Sequence, residues 1–560
     1  MSTPPGSAVR AARRRPVRRW FASYGRSLAG ASFAVVWLCL SLTPSLLPRT
    51  WVQQGLIGGL SASLGYAVGF AFGALVIRLI PRRHRPGVRR VGWRVFAGLS
   101  VPLVAVSLYR GSVWQRDIHR LMGQQPPSRY AYVAVLVLSV AVFVVLTGSV
   151  RMLWALAAVL SRLLRRWVPR RGAQVIALTA VLLASIGTLN EVVYDGGTRI
   201  VTAMARTMDA GTSRGALPPM SAARSGSPTS LVSWASLGRE GRSFVSGGPG
   251  PAELVRFSGV PAKDPVRVYV GRASSPTLDG EALLAVRELE RTGAFTRKTL
   301  CVITTTGTGW IDPQAVAALE YMDNGDSALV GIQYSYLPSW SSFVLEQGRP
   351  AEAGKALFDR VYARWSTLPA GHRPRLLVFG ESLGALGAEG AFSGLDDIVN
   401  HTDGALFAGP THADPIWQDL TAHRDAGSPE AEPTYEGGRV VWFAAQPADL
   451  TRSPGRPDPR VVYLQHSSDP VVWWSPKLLV HQPDWLKERR GVDVLPDMHW
   501  YPLVTLLQVT ADLDAAYAAP PAHGHRYSDM IVAGWAAIAA PAGWTAARTR
   551  DLTAVIDPSN

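Results

Sequence analysis

At 560 residues the chain has room for two or three domains and a large core, but 47 % of its residues are apolar and the apolar surplus is concentrated before about residue 195, which excludes a simple soluble protein. A formal charge of +16 would suggest nucleic acid if it covered one face. The basic residues instead cluster beside apolar segments, as in "RAARRRPVRR" and "PRRHRPGVRR", without any zinc-finger or aromatic RNA-binding pattern, so the expected partner is a lipid bilayer and not nucleic acid. Two cysteines, Cys39 and Cys301, exclude a disulfide framework.

Residues 1–26 read as a basic cytoplasmic tail and 27–195 as a transmembrane domain of about five helices. The apolar segments are about 28–47, 55–80, 94–110, 131–150 and 174–193, each near the roughly 20 residues a bilayer requires. The first is not a cleavable signal peptide, because no small-residue cleavage site follows it and further spans do. The third is short and carries Arg94 and Arg110 at its ends, so a buried or re-entrant helix is its alternative.

Arginine placement sets the expected orientation. The tail, the second–third loop (Arg82, Arg83, Arg85, Arg89, Arg90) and the fourth–fifth loop (Arg162, Arg165, Arg166, Arg170, Arg171) are rich in it. The alternate loops carry Arg49 in one and Arg116, Arg120 and Arg129 with Asp117 in the other. The rich segments share the cytoplasmic side only with five spans, which places everything after about residue 195 outside. Gly65, Gly69 and Gly73 recur at a spacing that lets helices approach closely, within this bundle or across a dimer, and the sequence leaves the oligomeric state open. Apart from Asn190 and Glu191 near the end of the fifth segment, no Asn, Asp, Glu or His of the kind that marks a proton relay sits mid-span, which disfavours transport.

Residues 196–260, with "GTSRGALPPMSAARSGSPTSLVSW" at their centre, are expected to form an irregular juxtamembrane connector in which Trp234 and Phe244 are either interfacial anchors or ordinary packing. From 261 to 560 the pattern alternates strand and helix. Apolar strands are expected at 266–271, from 299 into a glycine-rich loop, at 327–336, 375–379, 404–409, 439–445 and 460–466. Near-continuous apolar strands separated by helices predict an α/β domain, a mostly parallel sheet with helices on both faces.

Within it, "RLLVFGESLGALGAEGAF" (375–392) ends an apolar strand in Gly380-Glu381-Ser382-Leu383-Gly384 and continues at helical spacing. A Gly-x-Ser-x-Gly turn between strand and helix presents its serine in strained backbone geometry, with the glycines avoiding collisions. Ser382 is therefore the candidate nucleophile, the backbone N–H of Leu383 one oxyanion donor, and a structural turn serine the alternative. A serine hydroxyl needs a base, and the base an orienting carboxylate. Asp469, just past a strand in "VVYLQHSSDPVVWW", is the expected carboxylate; His523 and His525 in "PPAHGHRYSD" are the candidate bases, with His525 slightly preferred and His466 and His499 as rivals. The second oxyanion donor is expected from Thr306, Gly307, Thr308 and Gly309 in "TTTGTGW", which lacks a dinucleotide or P-loop fingerprint. No HExxH or Cys/His cluster suggests a metal, and no cofactor is implied.

The segments "SLTPSLLPR" (41–49), "GSPTSLVSW" (226–234), "TTTGTGWIDP" (304–313), "GESLG" (380–384), "HSSDPVVWW" (466–474) and "PPAHGHRY" (520–527) resemble a bacterial family of membrane α/β-hydrolases with an N-terminal transmembrane domain. The resemblance implies an extracytoplasmic serine esterase or lipase-like enzyme acting on lipid esters such as aminoacylated or acylated glycerolipids, and it carries over Ser382, Asp469 and the His523/His525 pair. An acyltransferase on envelope lipids, or a non-enzymatic membrane scaffold with a degenerate hydrolase domain, are the alternatives. The sequence departs from the family's usual pattern in one respect, since no strand is evident before "PPAHGHRY".

Overall fold

The computed structural model describes residues 27–79, 86–128, 130–191, 196–346, 348–451 and 457–557. Contacts divide the chain into two units, one holding the residues up to 120 with 125–195 and 497–511, the other holding 121–124, 196–496 and the residues from 512 onward.

The first unit is helical. Four of its helices are long and apolar enough to cross a membrane: Trp51–Leu79, Arg90–Leu121, Ala131–Leu164 and one that begins at Arg170. The first expected span is a shorter apolar helix, Leu28–Ser41, whose 14 residues rise about 21 Å against a hydrocarbon core of about 30 Å. The third expected span is longer than its hydropathy suggested. It belongs to the continuous helix Pro86–Leu121, which accommodates Pro102 and exposes Leu99 and Val101, so it is not a buried helix. Hydropathy sees Arg94 and Arg110 as boundaries, but a charged side chain does not stop helical hydrogen bonding.

The glycine stripe packs inside this unit. A Cβ on Gly65 would fall 2.7 Å from the Phe33 carbonyl oxygen and one on Gly69 2.6 Å from that of Ala29, so only glycine lets Trp51–Leu79 approach Leu28–Ser41 this closely. Arg49, counted in the sequence as a loop charge, is 5 % exposed; its N–H donates to Gln115 Oε1 (2.9 Å) and its guanidinium to Gln54 Oε1 (3.3 Å). Gln508, from the late segment that joins this unit, donates to the carbonyl oxygens of Ser41 (3.3 Å) and Thr43 (3.1 Å). Backbone groups freed where the first helix ends are thereby satisfied.

The second unit is built on seven parallel strands: β1 Val266–Val270, β2 Thr299–Thr304, β3 Ser327–Ile332, β4 Arg375–Glu381, β5 Gly404–Ala408, β6 Val441–Ala444 and β7 Val461–Leu464. Their order is β1-β3-β2-β4-β5-β7-β6. Apart from half-buried Arg375 every strand residue is buried, which is why the strands read as apolar runs without alternation. From β2 the chain moves to one side of the sheet and from β4 to the other. A crevice therefore opens at the carboxyl ends of these neighbours, where Thr304 pairs with Gly380.

The connector is part of this unit's packing. Its Ser225 N–H donates to Arg267 O of β1 (3.0 Å) and Arg267 N–H to Ala223 O (3.1 Å). Phe244 is buried against Tyr269 and is a core residue, not an interfacial anchor. Beside it, Arg267 is fully buried and held by Glu320 through two bonds of 2.7 Å.

Candidate active site

The turn after β4 has the strain its sequence predicts. Ser382 sits at φ 57° and ψ −125°, an unfavourable region for a residue with a Cβ, and its N–H is tied to Ala408 O at 2.9 Å. Both glycines are sterically required. A Cβ on Gly380 would meet the Gly384 carbonyl oxygen at 2.3 Å, and one on Gly384 the Thr304 carbonyl oxygen at 2.4 Å. The second contact presses the end of β2 against the start of the helix Leu383–Glu389. Helical bonding begins when Ala385 N–H donates to Ser382 O, which leaves the N–H of Leu383 outside the ladder.

The loop after β2 lies alongside. Thr306 N–H donates to Trp310 O (3.0 Å) and Gly309 N–H to Thr306 O (2.9 Å), so these two donors close the turn, and the N–H groups of Gly307 and Thr308 lie between them. The carbonyl oxygens are held back by side chains: Tyr269 donates to Gly309 O (2.7 Å) and Gln333 to Thr308 O (3.0 Å).

Asp469 caps the short helix Pro470–Trp473, its Oδ1 accepting from Val471 N–H at 2.8 Å. Its Oδ2 accepts from His525 Nδ1 and from the Tyr527 hydroxyl, both at 2.6 Å. Burial by itself pushes the Asp469 pKa up, but the His525 charge and these bonds outweigh it and hold the carboxyl below its ordinary range. The arrangement fixes which imidazole nitrogen faces the carboxylate and turns Nε2 away from it. Nε2 is buried and, among the described residues, receives no hydrogen bond, Ser382 included.

Two contacts place this imidazole at the Ser382 turn. A Cβ on Gly409, next to the Ala408 that binds Ser382, would lie 2.3 Å from His525 Cε1. Half-exposed Tyr517 packs edge-on against His525 with ring centres 4.7 Å apart and brings its hydroxyl to the Ser382 side chain.

The other histidines have different partners. His523 faces Asp493 at 3.3 Å, and that carboxylate also accepts from the Ser468 hydroxyl. His466 lies flat on Tyr527 at 4.6 Å, with Nδ1 2.9 Å from Gly524 O. His499 is exposed in the segment that belongs to the first unit. No strand forms between β7 and His525 among the described residues; the loop is positioned instead by His525 N–H donating to Ala516 O (3.0 Å) and Gly524 N–H to Ser468 Oγ (2.9 Å).

Sequence reading passed over several of these groups. Glu381, the residue before the serine, is buried and faces the Asp312 carboxyl; burial, reinforced by Asp312, pushes its pKa well up. A glutamate between buried strand residues was the available signal. Tyr517 and Asp493 carried none, because each reaches the site through the fold. Among the described residues no group of three or more His, Cys, Asp or Glu side chains is gathered to hold a metal.

A family model described as an alpha/beta-hydrolase family matches residues 266–552, and one described as the N-terminus of an alpha/beta-hydrolase family matches residues 42–249. No curated protein and no solved structure matches the chain.

Proposed function

The chain belongs to this alpha/beta-hydrolase family and is a multi-pass membrane protein, and from that premise we propose that it cleaves carboxylic esters of membrane lipids through a Ser-His-Asp triad and an acyl-enzyme. The observation that carries this reading is the buried Asp469–His525 pair lying against the strained Ser382 turn. In the proposed mechanism Ser382 Oγ attacks the ester carbonyl as His525 Nε2 takes its proton. Asp469 holds the imidazole and stabilises the cation that forms. The negative oxygen of the tetrahedral intermediate is received by the N–H of Leu383 and by those of Gly307 and Thr308. His525 then returns the proton to the departing alcohol, and water repeats the sequence on the acyl-enzyme, releasing the acid and restoring the serine.

The membrane region confines the enzyme to the plane that holds its substrate and raises its effective concentration toward lipid. We assign 1–26 as the cytoplasmic tail, 27–195 as the membrane region with five crossings, 196–260 as the connector and 261–560 as the hydrolase region, extracytoplasmic as the arginine distribution requires.

The test is labelling of the full chain in membranes with a fluorophosphonate probe, together with turnover of phosphatidylglycerol. Wild type labels and releases fatty acid, and Ser382→Ala does neither. Labelling that persists in Ser382→Ala overturns the assignment. A reporter fused at the C-terminus reads the side: activity confined to the cytoplasm overturns the five-crossing topology.

A further inference from the structure

Next to the 304–309 loop, and outside the triad, the second unit contains a cavity of about 470 Å³ whose wall includes Arg206, Arg272 and Arg349, with Tyr334, Ser335 and Glu346. The three arginines come from different elements: the helix Gly196–Ala210, the turn after β1 and the helix Arg349–Ser366. Guanidinium donors suit phosphate oxygens, and three of them meet on this cavity; Arg272 already gives Nη1 to Ser275 O (2.8 Å) and to Glu281 and Nη2 to Pro276 O (3.3 Å), which leaves recognition of an anionic oxygen group to Arg206 and Arg349.

The charge is only partly cancelled from within. Arg272 is paired with Glu281 at 2.7 Å, and Glu346 accepts from the Ser342 hydroxyl. Arg206 lies over the Tyr336 ring at 5.6 Å, and Arg349 gives its Nε–H to Tyr334 O at 2.8 Å, so neither spends its guanidinium on a carboxylate among the described residues. Burial pushes the Glu281 pKa up to about 8 against the pull of Arg272 and Arg349, and Arg272 is the arginine that it pairs with.

The cavity is coupled to the catalytic loop. Leu337 lines it, and a Cβ on Gly307 would fall 2.5 Å from the Leu337 carbonyl oxygen. Gln333 bridges the two: its Nε2 donates to Thr308 O (3.0 Å), and its Oε1 accepts from the Arg272 N–H (3.1 Å). The start of that loop is pressed against the Ser382 turn, where a Cβ on Gly384 would meet the Thr304 carbonyl oxygen at 2.4 Å.

We propose that this arginine-lined cavity receives the phosphodiester of a glycerophospholipid whose acyl ester, a few bonds away along the glycerol, is presented to Ser382. The assignment rests on the ester-hydrolase reading and narrows its substrate class to phosphate-bearing lipids. It separates them from neutral acylglycerols, which share the scissile ester but have nothing for the arginines to bind.

The test uses the full chain in detergent, and binding is read apart from chemistry in Ser382→Ala. Short-chain phosphatidylglycerol is expected to bind Ser382→Ala at least tenfold more tightly than the diacylglycerol of the same chains. Adding Arg206→Gln or, separately, Arg349→Gln is expected to remove about tenfold or more of that preference. With Ser382 intact the same ratio should appear in kcat/KM. Equal binding of the two lipids, or a preference unchanged in both arginine variants, overturns the proposal. Saturable binding of inorganic phosphate without preference for the phospholipid also overturns it, because the cavity is then a site for free phosphate. Absence of turnover on every ester refutes the hydrolase reading, and the binding arm still decides the cavity.

Discussion

His525 Nδ1 lies 2.6 Å from Asp469 Oδ2 with both side chains excluded from solvent, whereas His523, two positions earlier, faces Asp493. The two histidines are therefore predicted to differ sharply. His525→Ala should lower kcat/KM for an ester by about a thousandfold or more, as loss of a triad base does, and His523→Ala by less than about tenfold. Steady-state kinetics on one soluble ester decides it; comparable losses would contradict the assignment of His525.

Gly384 faces the Thr304 carbonyl oxygen, a backbone atom that cannot rotate aside. Gly384→Ala is expected to force β2 and the turn apart and to destabilise the second unit by about 1–3 kcal/mol or more, with fluorophosphonate labelling lost in parallel. Unaltered thermal unfolding and labelling would show that the close approach is not required.

Tyr527 gives its hydroxyl to the same carboxylate oxygen that His525 uses. Removing that donor in Tyr527→Phe leaves a buried charge short of a partner and should cost about 1.5–3 kcal/mol of stability. It should also weaken the orientation of His525, so kcat is expected to fall more than KM changes. A normal kcat with normal stability would remove Tyr527 from the supporting network.

Glu281 provides a stability-versus-pH test. Its folded pKa, raised by burial from the ordinary 4.5 to about 8, means that the folded state holds the proton more tightly than the unfolded chain between those values. The stability that Glu281 contributes is therefore fully present below about 4.5 and is lost as pH rises through about 8, by a total of order a few kcal/mol. Glu281→Gln keeps the shape and removes the titration, so the decline of apparent Tm across this window should flatten. An equal slope in both proteins would show that Glu281 does not contribute it.

Much of the second unit could be read without coordinates because its determinants are local. Each of the seven strands shows as an apolar run, since a parallel strand buries both faces, and the Ser382 turn shows because its glycines answer collisions within a few residues. In the first unit the apolar helices were legible as such, four of them at membrane-crossing length, while their extents were not. Hydropathy marks apolar windows, while hydrogen bonding carried the third helix through Arg94 and Arg110 to Leu121.

The sequence by itself determined an α/β architecture after a helical membrane region, a serine on a strained turn, and a carboxylate and histidines in the order that chemistry needs. Only the tertiary structure decided which imidazole meets Asp469, because His523 and His525 share one loop and their separation depends on Asp493 and Asp469, both brought to that loop by the fold. It alone gathered Arg206, Arg272 and Arg349 around one cavity, across more than a hundred residues of chain in which no spacing relates them. Strand periodicity and turn sterics act between neighbours and are written locally, whereas charge pairing acts through space and is set only when distant segments pack.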